Sequence, residues 1–124
     1  MARILLVEDH QEIWDFLSRR LKRRGYDVVV AEDGGTGLAK ARSEAPDLLI
    51  LDMNLPVMDG WTVAQTLRAE ETTRRLPIIA LTAHAMSGDR DKALAAGCYD
   101  YHAKPVDFSQ LLTQIETALA ARPA

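Results

Sequence analysis

Apolar residues along the chain follow two periods. Short apolar or β-branched runs occur at 3–7 (RILLV), 27–31 (DVVVA), 47–51 (DLLIL) and 77–81 (PIIAL), with a weaker fifth at 98–103 (CYDYHA). Runs of this length without polar alternation read as strands covered on both faces. Between them the spacing changes to three or four: Ile13, Leu17 and Leu21; Leu38, Ala41 and Ala45; Val63 and Leu67; Ala93 and Ala96; Leu111, Ile115 and Leu119. That is the stripe of an amphipathic helix. Punctuation agrees, since Gly25, Pro46, Pro77 and Gly97 follow the first four helical stretches and such residues stop helices. A β-α alternation repeated in this way predicts an α/β fold, a doubly wound five-stranded parallel sheet with right-handed crossovers and five helices on its two faces.

Parallel sheets carry their ligands at the carboxyl edge, so the strand ends are read together. They are Glu8-Asp9, Asp52, Leu81-Thr82-Ala83 and Ala103-Lys104-Pro105. Leu48 to Leu51 should be interior, with Asp52 where that interior opens. Three carboxylates at close quarters repel, and at least one is held protonated unless a cation is present. A hard divalent ion resolves the conflict. Magnesium, with oxygen ligands and retained waters, fits the inventory better than zinc, because no His or Cys cluster exists. Lys104 would neutralise an anion arriving beside the metal, and Thr82, with the backbone N–H groups after Asp52 and Thr82, adds donors. These parts suit phosphoryl transfer, with Asp52 as nucleophile.

Composition narrows the class further. The chain has 124 residues and 48% hydrophobic content, enough for one self-sufficient domain over 1–124. A formal charge of -3 and a pI near 5.6 argue against direct nucleic-acid binding, which needs a basic face. The apolar run Ile4 to Val7 is too short for a signal peptide or membrane span, and the lone Cys98 lacks ligand spacing; a cytoplasmic protein without membrane partners is expected. Asp33-Gly34-Gly35-Thr36-Gly37 lacks the spacing of a nucleotide cradle. The basic run Arg19 to Arg24 reads as a solvated helix end around buried Leu21. Trp14 and Phe16 flank the apolar arc of the first helix, leaving one of them exposed. His10, His84, His102 and Trp61 carry no special role on pattern alone.

Four stretches, VEDH at 7–10, LDMNLPVMDG at 51–60, LTAHA at 81–85 and AKPVD at 103–107, resemble in order and spacing the receiver domain of two-component response regulators, the CheY-like family. The resemblance implies a flavodoxin-like receiver fold with strand order 2-1-3-4-5. It also implies that Asp52 accepts a phosphoryl group from a phosphohistidine on a sensor histidine kinase or histidine phosphotransfer protein. Asp9 and Asp52 would ligate Mg2+ directly, Asn54 through its backbone carbonyl, and Glu8, where the family often has Asp, mainly through water. Thr82 would bond a phosphate oxygen and Lys104 would pair with the phosphate, having paired with Asp52 at rest. Tyr101 falls at the rotating aromatic, more exposed at rest, so Thr82 and Tyr101 form the switch that reshapes the face of the fourth helix, fifth strand and fifth helix for an unidentified downstream protein. Asn54 and His84 would border the path of attacking water, and the Lys104-Pro105 bond is expected to be cis. Such a protein promotes its own phosphorylation and dephosphorylation and is not an enzyme with a separate substrate. Two alternatives stand beside it: a receiver fragment of a larger DNA-binding regulator or hybrid kinase, and an Asp-nucleophile phosphatase, which would need an acid where the chain has Asn54.

Overall fold

The computed structural model describes residues 2–83 and 88–121. Ten elements alternate: β1 (Arg3–Val7), α1 (Gln11–Arg23), β2 (Asp27–Ala31), α2 (Gly34–Ser43), β3 (Leu48–Asp52), α3 (Gly60–Ala69), β4 (Ile78–Thr82), α4 (Asp89–Ala95), β5 (Asp100–Ala103) and α5 (Phe108–Ala121). The strands form one parallel sheet in the order β2-β1-β3-β4-β5, as the family resemblance implied. Strand parity then divides the core. Leu5, Val7, Leu49, Leu51, Ile78 and Ala80 face α2, α3 and α4, while Ile4, Leu6, Leu48, Ile50, Ile79 and Leu81 face α1 and α5. Side chains alternate along a strand, so a central strand needs apolar residues at every position, which is why these runs show no polar alternation.

Element boundaries differ from the periodicity where local chemistry intervenes. β3 and β4 each extend one residue further, taking Asp52 and Thr82 into the sheet. β5 begins only at Asp100, because Gly97 turns with φ +97 and Cys98 N–H bonds back to Ala93 O at 3.0 Å. Ala45 is not helical: α2 ends at Ser43, and Ala45 leaves it at φ +47, ahead of Pro46, which disfavours a helical predecessor. Pro77 does not stop the third helix. α3 ends at Ala69, and residues 70–75 form a turn that Arg68 pins, donating to the carbonyls of Gly97 (2.7 Å), Thr73 (3.3 Å), Arg74 (2.9 Å) and Leu76 (2.6 Å). Among the described residues no helix is long and apolar enough to cross a membrane.

Val57, in the loop between β3 and α3, has φ +69 and a fully exposed side chain. A β-branched residue in that region is strained, by about 1 to 2 kcal/mol, and here no packing offsets the strain. Val57→Gly should therefore stabilise the protein by roughly 0.5 to 1 kcal/mol after the unfolded-state entropy of glycine is counted. Urea denaturation checks this, and a lower midpoint would show that the loop is not strained.

Candidate functional site

The site is built where β1 and β3 run side by side with Val7 opposite Leu51. One residue further, Glu8 and Asp52 emerge as neighbours. Both are fully buried, whereas Asp9 and His10, on the loop before α1, keep contact with solvent. Glu8, Asp9, His10 and Asp52 present ligand atoms that all lie within 4.8 Å of one another. From the end of β5, Lys104 Nζ reaches Glu8 Oε1 at 2.9 Å and Asp52 Oδ2 at 3.4 Å. Lys104 N–H bonds Thr82 O at 2.7 Å, tying the ends of β4 and β5 together, and Thr82 itself is buried. The Lys104-Pro105 bond is cis.

The loop after β3 supplies the remaining contacts. Asn54 N–H donates to Asp52 Oδ1 at 3.0 Å. Met53 N–H, the first donor after Asp52, is consumed by Leu81 O at 2.9 Å, so only the second of the backbone donors in that stretch faces the carboxylate. Asp59 closes the loop by capping α3, its Oδ1 accepting from Thr62 N–H at 2.8 Å.

Electrostatics separate the two buried acids. Burial pushes Asp52 up to about 6, and the neighbouring Glu8 charge pushes in the same direction against the opposing Asn54 N–H and Lys104. Burial also acts to raise Glu8, but the Lys104 ammonium beside it, the adjoining Asp52 carboxyl and the His10 N–H outweigh it, leaving Glu8 below the usual carboxylate range. Of the two buried acids, Asp52 is thus the one that holds its proton longer. His10 is raised, first by its contact with Glu8 and then by Asp9; its Nδ1 lies 3.1 Å from Glu8 Oε2 and 3.3 Å from Asp9 Oδ1.

Several sequence expectations change in this geometry. Lys104 lies closer to Glu8 than to Asp52, so its resting partner is shared and Glu8 is the nearer. Asp52 is fully buried at the end of β3, with the Asn54 N–H and the Lys104 ammonium against its carboxylate. His10, without a role on pattern, belongs to the acidic cluster; its place directly after two site acids was the one available signal. Tyr101 is half-buried against the core on the α4 side, opposite Ala80. Phe16 is the exposed aromatic of α1, at 40%, and Trp14 the packed one. Trp61 packs on the core with Lys92 Nζ 4.3 Å from its ring. Asp33 Oδ1 accepts from Thr36 N–H at 2.7 Å and caps α2, occupying with its own carboxylate the position a bound phosphate would need. Arg19 pairs with Asp15, and Arg20 lies over Phe16 and Phe108, as a solvated helix end allows. His84 lies outside the described residues.

Residues 4–116 match the response regulator receiver domain, and the chain belongs to that family. It is 40% identical over 119 residues to the DNA-binding dual master transcriptional regulator RpaA of Synechocystis, a match covering 96% of this chain and 49% of that protein. The chain thus spans about half the length of this relative. Among solved structures, the receiver domain of the sensor histidine kinase PA1611 from Pseudomonas aeruginosa, which has a magnesium ion coordinated in its active site cleft, superposes with a TM-score of 0.89 at 38% identity, covering 97% of this chain and 98% of that one. The chemotaxis response regulator CheY4 of Vibrio cholerae gives a TM-score of 0.89 at 31% identity, with 95% and 98% coverage.

The donor set suits a hard cation. Glu8 Oε1, Asp9 Oδ1 and Asp52 Oδ2 are buried side-chain oxygens without a hydrogen bond; the 2.9 Å approach of Lys104 to the first is a charge contact without hydrogen-bond geometry. Orphaned buried oxygens are costly. An oxygen-seeking divalent ion would satisfy them together.

Proposed function

We propose that this receiver is a phosphoacceptor in which Asp52 takes a phosphoryl group from a phosphohistidine on a sensor histidine kinase or histidine phosphotransfer protein. The observation that carries the proposal is the trio of hydrogen-bond-free buried carboxylate oxygens on Glu8, Asp9 and Asp52 with Lys104 beside them. Asp9, Asp52 and the Asn54 carbonyl would hold Mg2+, with Glu8 behind them through water; when bound, the ion neutralises the carboxylates and the phosphoryl oxygens. An Asp52 carboxylate oxygen bonds phosphorus as the P–N bond breaks, and that electron pair stays on the departing imidazole. The product is an acyl phosphate. Lys104, already between two anions, pairs with the incoming phosphoryl charge, and the Thr82 hydroxyl accepts the task of bonding one of its oxygens.

Movement of Thr82 toward that oxygen frees space on the side where Tyr101 packs, and the α4, β5 and α5 face is the surface a downstream protein would read. The protein is then a regulator that takes part in its own phosphorylation and dephosphorylation rather than a turnover enzyme. Relatives of twice the length that bind DNA favour a second reading, in which a separate domain delivers the output to nucleic acid; the intact mass of the natural gene product separates the two. The main reading is tested by incubation with Mg2+ and acetyl phosphate. One phosphoryl adduct on Asp52 is expected, and no adduct under any Mg2+ concentration would overturn the assignment.

The raised Asp52 sets a pH dependence. Below about pH 6 a cation must displace its proton, so the apparent Mg2+ affinity should fall by about tenfold per pH unit, the slope of a one-proton exchange, and level off above that point. Mg2+ titrations followed by tryptophan fluorescence between pH 5 and 8 measure it. A flat profile would mean that Asp52 is not a ligand.

A further inference from the structure

His102 is a buried polar residue that the phosphoacceptor chemistry leaves unused. It is 2% exposed, and it sits on β5 opposite Leu81, on the face that α5 covers. Both ring nitrogens are engaged. Nε2 accepts Asp107 N–H at 3.1 Å, so the proton lies on Nδ1, which donates to Gln114 Oε1 at 2.7 Å. Gln114 is fixed in turn, its Nε2 donating to Tyr101 O at 2.8 Å and Asp100 Oδ2 at 3.0 Å. Asp107 caps α5 from the position before it, its Oδ1 accepting from Gln110 N–H at 3.1 Å and its carbonyl from Leu111 N–H at 2.9 Å.

We propose that His102 is a positioning residue for Lys104, holding the turn 104–107 from which the ammonium reaches Glu8 and Asp52. The inference rests on the phosphoacceptor reading. A lysine side chain has several free torsions, so its aim depends on how firmly its backbone is held. The turn is tied to the sheet at its first residue through Lys104 N–H and Thr82 O, 2.7 Å apart, and at its last through Asp107 N–H and His102. An aliphatic residue would fill the same space under α5 and avoid the desolvation of an imidazole, but it would leave the second tie unmade. The ring earns its place by geometry rather than by packing. Gln114 keeps the imidazole from rotating, so the tie has a fixed direction.

The test compares wild type, His102→Leu, His102→Gln and Gln114→Met. Phosphorylation by acetyl phosphate is followed at saturating Mg2+ as a function of donor concentration, alongside Mg2+ affinity and melting temperature. His102→Leu should lower the maximal rate by about tenfold, as expected for a misplaced charged group, without weakening Mg2+ binding at pH 8, where Asp52 is ionised, because Asp9, Asp52 and Asn54 lie on other strand ends and a displaced Lys104 only removes a competing cation. His102→Gln, whose carbonyl can accept from Asp107 and whose amide can donate to Gln114, should restore most of the rate. Gln114→Met, on an outer helix, should give a smaller loss of the same kind and reports even where the leucine variant does not fold. His102→Leu reacting at the wild-type rate, or losing rate and Mg2+ affinity together, overturns the positioning role, as does failure of the glutamine to restore a rate that leucine removed. No adduct on wild type overturns the phosphoacceptor reading and this inference with it, whereas equal rates of adduct formation on wild type and His102→Leu overturn the inference alone.

Discussion

Asp52→Asn is expected to abolish phosphoryl adduct formation completely while raising the stability of the metal-free protein. Loss of the adduct follows from loss of the nucleophile, since an amide oxygen does not form the acyl phosphate. The gain in stability follows from where the carboxylate sits. Asp52 is fully buried and raised from 3.8 to about 6, so its ionisation opposes folding: the stabilising contribution is present below about pH 4 and is lost as the pH rises through about 6. Two pKa units correspond to an upper bound of about 3 kcal/mol, and the opposite shift of Glu8 reduces it. Lys104 does not become an orphan in the variant, because its nearer partner is Glu8 at 2.9 Å. Denaturant melts at pH 8 without Mg2+ should therefore show the variant more stable by roughly 1 to 2 kcal/mol, and the difference should shrink at pH 4 and reverse when Mg2+ is added. A variant less stable than wild type at pH 8 would show that Asp52 is held by favourable contacts after all. Intact mass after acetyl phosphate treatment decides the first part.

Gly60→Ala should be the most damaging single substitution on the scaffold around the site. An added Cβ would lie 2.5 Å from Met53 Cα and 2.6 Å from Asp52 O, and both are backbone atoms that no rotamer change can move. α3 approaches β3 this closely because Gly60 N–H bonds Met53 O at 3.2 Å while Asp59 caps the helix. The substitution must push the helix start away from the residues that carry Asp52 and Asn54. A cost of about 3 kcal/mol, the upper end for overpacking, is expected, or roughly a 10 °C fall in melting temperature, together with weaker Mg2+ binding. Gly35→Ala is the matched control. Its Cβ would meet only Asp33 Oδ1, at 3.5 Å, so helix propensity decides and a gain of about 0.5 to 1 kcal/mol follows. Equal melting temperatures for Gly60→Ala and wild type would mean that α3 is not held against β3 as described.

Much of the architecture is carried by local order in the chain. Unbroken apolar strands, helical stripes and their stops specify alternating β and α elements, and a parallel sheet then requires the carboxyl ends of β1, β3, β4 and β5 to share one edge. Glu8, Asp9, Asp52, Thr82 and Lys104 are legible as one constellation for that reason. Their dependence on one another is not. Which acid keeps its proton is decided by burial and by the positions of the Asn54 N–H, Glu8 and Lys104 around Asp52, and none of these is a property of sequence spacing. Boundaries shifted where a hydrogen bond or a left-handed residue overrode periodicity, as at Ala45, Gly97 and the Arg68-pinned turn after α3.

Single polar residues outside any periodic pattern show the same limit. His10 offers only its place after two acids, and its share in the cluster depends on the Glu8 carboxylate turning back toward it. His102 is one polar residue in a weak strand, and its two partners, Asp107 and Gln114, are joined to it only once α5 has folded over β5. Periodicity and strand-end chemistry, being local, determined the fold class and the acids that meet at its edge; tertiary packing alone decided their charges, the aim of Lys104 and the use of a buried histidine, because desolvation and hydrogen-bond geometry exist only when distant segments are brought together.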